Sequence, residues 1–519
     1  EPFMYFDNAI YWMDSPDRGR KRHYAAMLYK HTGMVPTTGG GRTFFEVLPS
    51  LAMIRGQVRD HFSWLHTDVA SYTVYFNLNN PEHEIAKITP DEIQIMKNGG
   101  NEDGIILDGS RKMKPLKFLP DADLEEADRL LVDLLVGNMT CPQGDRFLIL
   151  SWLSCFLLID FAGTRPMTRF EGSAGSGKTT ASKITSTLLY GEPQHKKATD
   201  AANYTDGSQN PLIVLDNIEV KQMTEDLTTF MLTSITGIAK EKRKSGTDSE
   251  TITERTKCLL NTTGIEPLCG ELSEILSRSF VINFDLANQA SDCFLESEVI
   301  SAIQQNRDLI ISAIMKRTSH VLAMIRDGAQ KQVMRLLHRT MPTHGKRRCN
   351  DYLSLMYLMM LAGSEEHEVT TGLEDLSPLF IEQIHSINDT SQEMARESNP
   401  IATALASLFH AYQNAVELDE KARYGEDDRA NHVVGFIERY QVRFENENTM
   451  EPVSAGRLLA ALRRVGREFN LEFEYKKPAQ LGRRISNDLD VIRDAGFDID
   501  RQRNAHTKNF EYRICHKSR

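Results

Sequence analysis

The chain has 519 residues, of which 40% are hydrophobic and 26% are charged, and its formal net charge is −11 at pH 7. This length is too great for one hydrophobic core, so three or four domains are expected. The acidic balance excludes a protein that coats nucleic acid along its whole surface, and any such contact must be local. The seven cysteines are scattered without a Cys-x-x-Cys pair, which favours a reducing compartment, the cytoplasm, and no structural zinc.

Residues 1–120 are predicted to form an α+β accessory domain. The segment 21–30 has a helical pattern, and the glycine-rich GGGR at 39–42 is predicted to be a loop. Four short runs then alternate apolar and polar residues, which predicts a small antiparallel sheet. These runs are FSWL at 62–65, YTVYFNL at 72–78, EIAKI at 84–88 and EIQIM at 92–96.

Residues 121–164 are predicted to form a helical collar. Its most apolar run, FLILSWLSCFLLI at 147–159, is shorter than the roughly 20 residues that a membrane-spanning helix needs. The run therefore predicts a buried core helix and no membrane partner. Three further domains are expected from composition and periodicity. They are an α/β core at 165–290, a helical lid and connector at 291–395, and a C-terminal domain at 396–519.

The sequence GSAGSGKT at 172–179 has the spacing of a phosphate-binding loop. A strand-like segment precedes it at 167–171, and a helical segment follows and ends at Gly191. Lys178 is expected to reach the β and γ phosphates of ATP, and Thr179 to bind Mg²⁺. The backbone of the loop and the start of its helix would hold the phosphates. The predicted nucleotide-binding residues are Gly172, Ser173, Ala174, Gly175, Ser176, Gly177, Lys178, Thr179 and Thr180.

A buried-strand pattern, LIVLDNIE at 212–219, indicates a second part of the same site. Asp216 follows the apolar residues and is expected to bind Mg²⁺ through water. Many ATPases place a glutamate at the next position to polarise the attacking water, but this chain has Asn217. Either Glu219 takes that role or Asp216 serves alone. The alternative for the segment is a core strand with a capping Asp-Asn.

A third strand, KCLLNTTG at 257–264, is expected to place Asn261 at its tip, with Thr262 behind it, to position water against the γ phosphate. Arg278 follows a helix-like segment and precedes another strand. One reading is an arginine that stabilises transition-state charge in the neighbouring subunit of a ring. The other is a surface arginine paired with Glu274, four residues earlier.

The insertion 237–257 contains a basic run followed by Ser-Gly-Thr-Asp at 245–248, a strong turn signal, and an alternating return. This pattern predicts a β-hairpin with a basic arm made of Lys240, Lys242, Arg243 and Lys244. In the pore of a ring these side chains would neutralise backbone phosphates without reading sequence. By itself, a charge run is more often a solvated face.

The order GSAGSGKT, LIVLDN, basic hairpin, LLNTTG, SRSF resembles the AAA+ hexameric helicases of phages, plasmids and integrated elements, of superfamily 3 and MCM-like type. The resemblance is strong over about 165–290. It implies an AAA+ ATPase core, a hexameric ring that moves along single-stranded or forked DNA in replication of a mobile element, and an association with a primase. The resemblance extends weakly to RRCNDYLSLMYLM at 347–359, where Arg348 matches the position of a second sensor arginine that contacts nucleotide. The sequence is equally compatible with Arg348 being a surface arginine at the start of a helix.

Two amphipathic helices and a hairpin near the end of the chain outline a winged helix. Leu458, Leu459, Leu462 and Val465 mark the first helix, and Leu481, Ile485, Leu489 and Ile492 mark the second. The candidate DNA-phosphate contacts are Arg483, Arg484, Arg501, Arg503 and Lys508. A protein-docking winged helix is the alternative.

Two other functions are weighed against a helicase. A non-motor ATPase switch that controls an effector, as in host defence, would suit the weak hydrolysis that Asn217 suggests. A small-molecule kinase is disfavoured, because no acceptor site is evident and the basic hairpin has no use in it.

Overall fold

The fold is described from a computed structural model, which shows no helix long and apolar enough to cross a membrane within the residues it describes. Those residues are 2–6, 9–13, 18–57, 59–194, 200–219, 222–243, 251–265, 273–289, 295–340, 347–362, 375–387, 399–424, 431–469, 475–504 and 510–516.

The N-terminal part combines two helices with short strands. Its elements are β1 (Phe3–Phe6), β2 (Ala9–Trp12), α1 (Arg18–Thr32), α2 (Gly39–Arg55), β3 (Asp60–Phe62), β4 (Leu65–Asp68), β5 (Thr73–Asn77), β6 (Glu84–Ile88), β7 (Ile93–Lys97) and β8 (Ile105–Leu107). The helix predicted at 21–30 is confirmed by α1. The loop predicted at GGGR is wrong, because Thr38 caps α2 by accepting a hydrogen bond from the Gly41 N–H at 3.2 Å. The three glycines form the first turn of that helix.

The predicted antiparallel sheet is confirmed in the order β4-β5-β6-β7. The run FSWL at 62–65 does not form one strand, since β3 ends at Phe62 and pairs in parallel with β8, whereas β4 begins at Leu65. Alternation places apolar side chains of this sheet toward the protein interior, where Val74, Phe76 and Ile88 are fully buried.

The central part contains a parallel four-stranded sheet in the order β10-β13-β9-β14. The elements are α3 (Leu124–Leu134), α4 (Gln143–Ser154), β9 (Met167–Glu171), α5 (Lys178–Tyr190), α6 (Asp200–Gln209), β10 (Leu212–Leu215), α7 (Glu225–Thr236), β11 (Ala239–Arg243), β12 (Thr251–Arg255), β13 (Leu259–Gly264), α8 (Ser273–Leu276) and β14 (Ser279–Asn283). Because the strands are parallel, the loops that follow β9, β10 and β13 meet at one edge of the sheet, its carboxyl edge.

Four helices follow the central sheet: α9 (Glu296–Arg326), α10 (Ala329–Thr340), α11 (Asn350–Leu361) and α12 (378–387). One hydrophobic cluster contains residues from Trp64 to Ile387. It joins the N-terminal sheet β4-β5-β6-β7, called the accessory sheet below, to α4, one face of the central sheet and these four helices. The Trp64 ring stacks on Phe156 with ring centroids 6.3 Å apart, and its indole N–H donates to the Lys257 carbonyl at 3.0 Å. The buried core helix predicted from 147 onward is confirmed by α4.

The C-terminal part has its own hydrophobic core between residues 401 and 514. Its elements are α13 (Pro400–Tyr424), α14 (His432–Tyr440), β15 (Phe444–Asn446), β16 (Thr449–Ser454), α15 (Ala455–Glu468), α16 (Pro478–Asn487), α17 (Leu489–Asp494), β17 (Phe497–Arg503) and β18 (Phe510–His516). The sheet is antiparallel in the order β15-β16-β18-β17. The predicted hairpin at its end is confirmed, but the single helix predicted from Leu481 to Ile492 is interrupted at Asp488, which accepts from Arg484 Nε at 2.6 Å and Asn399 Nδ2 at 2.8 Å.

Candidate functional site

The loop Gly172–Gly177 connects β9 to α5 at the carboxyl edge of the central sheet. Gly172 and Gly177 adopt φ values of 144° and 98°, which side chains rarely tolerate. A Cβ at Gly172 would lie 2.2 Å from the Phe284 carbonyl oxygen, and one at Gly177 would lie 2.4 Å from Thr140 Oγ1. Both positions therefore require glycine. The loop curls over the N-terminus of α5, where backbone N–H groups and the helix dipole favour an anion.

Thr140, which no sequence motif indicated, supports this loop from the collar. Its hydroxyl donates a hydrogen bond to the Ser176 carbonyl, and its own carbonyl accepts from the Asp285 N–H at 2.8 Å. The contacts join three segments that are far apart in the chain, so no local pattern could have revealed them. Thr140 thereby holds the loop against the end of β14.

The Lys178 side chain lies inside the concave face of the loop. Its Nζ donates to the carbonyls of Gly172 at 2.8 Å and Ser173 at 2.7 Å and lies 3.3 Å from Ser176 Oγ. Burial lowers the pKa of Lys178, and the carboxylates of Glu219 and Asp216 oppose this effect. The ammonium thus lies where a phosphate held by the loop would contact it.

Asp216 lies immediately after β10 and receives two hydroxyl groups on its Oδ1 atom. Thr179 Oγ1 donates to it at 3.2 Å and Thr263 Oγ1 donates at 2.7 Å. Within the described residues no cluster of three or more His, Cys, Asp or Glu side chains could hold a metal by itself. A hydroxyl beside one carboxylate instead fits Mg²⁺ that arrives with phosphate and keeps several waters.

Two residues of the predicted catalytic set, Asn217 and Glu219, lie in the turn after Asp216. Asn217 adopts the left-handed conformation, with φ of 57°, and its N–H donates to Thr263 Oγ1 at 2.8 Å. Asparagine tolerates this conformation better than most residues, so the local backbone explains the Asn217 side chain. Glu219 Oε1 accepts from the Ile265 N–H at 2.8 Å, so its carboxylate lies at the end of β13.

The expected position of Asn261 at the tip of its strand is wrong. Strand β13 continues to Gly264, and Asn261 is completely buried within it. Its Oδ1 accepts from Ser182 Oγ at 2.7 Å, and its Nδ2 donates to Thr168 Oγ1 at 2.9 Å. Asn261 therefore connects α5 to β9 beneath the site, and Thr263, two residues further along, is the polar residue beside Asp216.

A buried ion pair that the sequence analysis did not predict lies next to the turn that follows Asp216. Arg169 and Glu171 on β9 are 3.0 Å apart and both are buried. Arg169 Nη1 donates to the carbonyls of Ile218 at 2.8 Å and Thr263 at 3.0 Å. The guanidinium thus holds the turn after Asp216 against the end of β13. Two charges within a five-residue buried strand, MTRFE, are the signal that could have revealed it.

Thr180 faces away from the loop. Its hydroxyl donates to Glu296 Oε2 at 2.6 Å, and Lys183 Nζ donates to Glu296 Oε1 at 2.7 Å. The Thr180 hydroxyl thus contributes to the contact between α5 and α9, and its predicted nucleotide contact stays a prediction.

Arg278 lies at the amino edge of the central sheet, opposite the loop. Its carbonyl accepts from the Met167 N–H at 3.2 Å, and its Nη1 donates to Glu274 Oε1 at 2.9 Å. The five residues of β9 separate this edge from the loop by about 17 Å. The ion pair with Glu274 is one of the two alternatives that the sequence predicted for Arg278. The Arg278 side chain does not reach the loop of its own chain.

Arg348 lies close to the start of α11, and its predicted contact with nucleotide stays a prediction. It is exposed and lies two residues before the start of α11. Asp351, in the first turn of that helix, accepts from the N–H groups of Gly163 at 2.5 Å and Thr164 at 2.9 Å, just before β9 begins. Arg348 is thus a surface arginine at a helix start.

The predicted basic hairpin is confirmed as two antiparallel strands. Lys240, Lys242 and Arg243 lie on β11, and Lys242 is opposite Ile252 of β12. Lys244 and the predicted turn at 245–248 lie outside the described residues.

The base of the hairpin is joined to the strand that carries the loop. Arg165, just before β9, donates from Nη1 to the Thr256 carbonyl at 2.8 Å. Asp160 pairs with Arg165 at 3.1 Å and with Lys257 at 2.7 Å. Burial alone would raise the pKa of Asp160, but Lys257 and Arg165 outweigh that effect and lower it. The carboxylate is therefore ionised and links the hairpin base to the start of β9.

The C-terminal arginines differ in their surroundings. Arg484 forms a 2.6 Å ion pair with the buried Asp488, so its predicted contact with DNA is not supported by its placement. Arg483 and Arg501 are exposed, Arg503 is exposed at the end of β17, and Lys508 lies outside the described residues.

No family model matches the chain, and no curated protein matches its sequence. Among solved structures, the chain is similar to SCCmec type IV Cch, an active helicase, at 12% identity over 92% of this chain and 83% of that chain, with a TM-score of 0.48. It is also similar to the apo A form of the NrS-1 C-terminal region, at 12% identity over 99% of this chain and 93% of that chain, with a TM-score of 0.38. Scores of this size do not establish a shared fold, so the function is inferred from the site itself.

Proposed function

We propose that this chain is an ATP-dependent translocase of AAA+ type that acts on single-stranded or forked DNA as a ring, in the replication of a mobile genetic element. One observation carries the proposal. Lys178, Thr179 and Asp216 converge at the carboxyl edge of a parallel sheet, and a basic hairpin is rooted at the amino edge of the same strands. The candidate phosphate site and the candidate DNA contact thus lie at opposite edges of the same parallel sheet, which connects them.

Each residue of the site has a role in ATP hydrolysis under this proposal. ATP would supply the phosphoanhydride bond whose hydrolysis releases free energy, and Mg²⁺ would neutralise charge on its phosphates. The loop N–H groups and Lys178 hold the phosphates, and Thr179 with Asp216 holds the metal and its waters. Glu219 accepts a proton from the attacking water, and Thr263 fixes the orientation of Asp216.

The hairpin is the proposed DNA contact. Lysines on β11 would neutralise backbone phosphates of a strand in a central pore. The buried contacts of Arg165 and Asp160 support coupling, because a shift of β9 after hydrolysis would move the hairpin base. Arg278 lies at the sheet edge that a neighbouring subunit's nucleotide would face in a closed ring, commonly a hexamer. The C-terminal part is proposed to be a winged helix.

Strand displacement on forked DNA tests the proposal. We expect unwinding to require ATP. The Lys178→Ala variant should lose both unwinding and ATPase activity. Lys242→Ala should keep basal ATPase activity but lose unwinding, because the candidate ATP site is unchanged and a DNA contact is removed. Lys331→Ala, which removes an exposed lysine from α10, is the matched control and unwinds normally. ATPase activity without unwinding in the parent protein would contradict the motor and favour the non-motor switch.

A further inference from the structure

A groove of about 740 Å³ lies in the C-terminal part, between the N-termini of α15 and α16 and the β17–β18 hairpin. Its lining includes the small residues Gly456 and Gly482 and the polar residues Arg483, Ser486 and Arg501. Of the described residues that line it, none is acidic. The groove thus combines open space with positive charge.

The hydroxyl of Tyr512 lines this groove although the residue is only 2% exposed. Buried tyrosine hydroxyls usually find a hydrogen-bond partner. Among the described residues the Tyr512 hydroxyl has none, like that of the buried Tyr24, whereas the buried Tyr190 and Tyr352 donate to backbone carbonyls. Of the Tyr24 and Tyr512 hydroxyls, that of Tyr512 lines the groove. A Cβ at Gly482 would lie 2.8 Å from the Tyr512 oxygen. Glycine at that position therefore keeps the hydroxyl open to the groove.

Positive charge faces the same space from three directions. The guanidinium of Arg501 lies 3.6 Å from the centre of the Phe510 ring, and its Nη1 lies 3.4 Å from Ser486 Oγ. Arg483 is exposed on α16, one turn from the N-terminus of that helix. The N-termini of α15, with 14 residues, and α16, with 10 residues, also open into the groove and favour an anion.

We propose that this groove binds one phosphate of a single DNA strand, with the adjacent base against Phe510. The Tyr512 hydroxyl and the guanidinium groups of Arg483 and Arg501 would hold the phosphate oxygens. Phe510 is 43% exposed at the mouth of the groove, and a ring backed by a guanidinium is a stacking surface for a base. That ring favours nucleic acid over a phosphorylated peptide. The inference rests on the proposed action on DNA and deepens it.

The test measures binding of a labelled single-stranded 20-mer of mixed sequence to the full chain by fluorescence anisotropy, without nucleotide and in the Lys242→Ala background. Arg483→Ala and Arg501→Ala each reduce the slope of log affinity against log salt by about 0.7, because each removes one phosphate contact. Tyr512→Phe weakens binding by roughly tenfold with an unchanged slope, because it removes a hydrogen bond to a charged group and no charge. Arg467→Ala, at the opposite end of α15, is the matched control and changes neither quantity.

Four outcomes decide the groove proposal and the motor proposal separately. Groove variants that bind like Arg467→Ala overturn the groove proposal, even if the parent unwinds DNA. If the groove variants lose affinity for a phosphoserine peptide but keep their affinity for DNA, the groove proposal is overturned in favour of a protein-docking site. A weakened DNA affinity in Tyr512→Phe with the same unfolding temperature supports it. If the parent lacks ATPase activity, the motor proposal fails while this result stands.

Discussion

Thr263 is the residue that most directly organises the acidic side of the candidate ATP site. Its hydroxyl donates to Asp216 Oδ1 at 2.7 Å and accepts from the Asn217 N–H at 2.8 Å. One side chain therefore fixes both the carboxylate that would bind Mg²⁺ and the left-handed turn that follows it. The adjacent Thr262 is also buried, but its hydroxyl has no partner among the described residues.

Replacing Thr263 with valine keeps the side-chain shape and removes both hydrogen bonds. We expect kcat for ATP hydrolysis to fall by about tenfold to a hundredfold, with a small change in KM, because the metal-binding carboxylate loses its orientation. Thr262→Val, which removes a hydroxyl that makes no hydrogen bond in the described structure, should leave kcat unchanged. Steady-state ATPase measurements on both variants check this, and equal losses would show that the effect is merely structural.

The buried helix α4 carries an ionisable group in its first turn. Asp145 is buried, and it is hydrogen-bonded to Ser386 of α12. Burial raises the pKa of Asp145 to about 6. A folded-state pKa above the unfolded value means that the folded chain holds this proton more tightly. Ionising Asp145 therefore costs stability, and the cost is absent below about pH 4 and complete above about pH 6.

Asp145→Asn removes this cost while keeping the size of the side chain. We expect the variant to be more thermostable than the parent above pH 6, by an amount equivalent to at most about 3 kcal/mol, and to lose this advantage as the pH falls toward 4. The midpoint of the first thermal transition, measured for both proteins between pH 4 and pH 8, checks the prediction. Asp133→Asn, at an exposed position on α3, is the control. A constant difference across the range would contradict the assigned pKa.

At the scale of the whole molecule, the two edges of the central sheet carry different groups of predicted functional residues. Lys178 and Asp216 lie at the carboxyl edge, whereas Arg278 and the hairpin base lie at the amino edge. The Arg278 side chain pairs with Glu274 at the amino edge and lies too far from the loop to contact a nucleotide bound by its own chain. Its proposed catalytic role therefore depends on a neighbouring subunit, which mixed subunits can test.

Mixing Lys178→Ala and Arg278→Ala chains, each inactive alone, should restore ATPase activity. In a randomly mixed ring about a quarter of the interfaces pair an intact Lys178 with an intact Arg278 from the neighbour. Activity is measured after the two proteins are dissociated and reassembled together. Glu274→Ala, which removes the ion pair and keeps the arginine, should remain active. Failure of the mixture to gain activity would assign Arg278 to a structural role.

Sequence patterns predicted those parts of the site that are local. The loop at 172–179, the strand before Asp216 and the basic hairpin all depend on residues adjacent in the chain, and the structure places them as expected. The contacts of Thr140, Arg169 and Glu296 span distant segments, so no pattern indicated them. Asn261 was misplaced because the end of a buried strand has no local marker, and here β13 runs three residues beyond the asparagine that was expected at its tip.

Trp64 limits how the protein can be divided. It lies immediately before β4, the first strand of the accessory sheet, yet its indole N–H donates to the Lys257 carbonyl next to the hairpin base and its ring stacks on Phe156. A truncation that begins at residue 121 would remove this ring together with the buried Phe76, and it would expose the apolar surface that both cover. The smallest stable fragment that contains the candidate ATP site must therefore retain the accessory sheet.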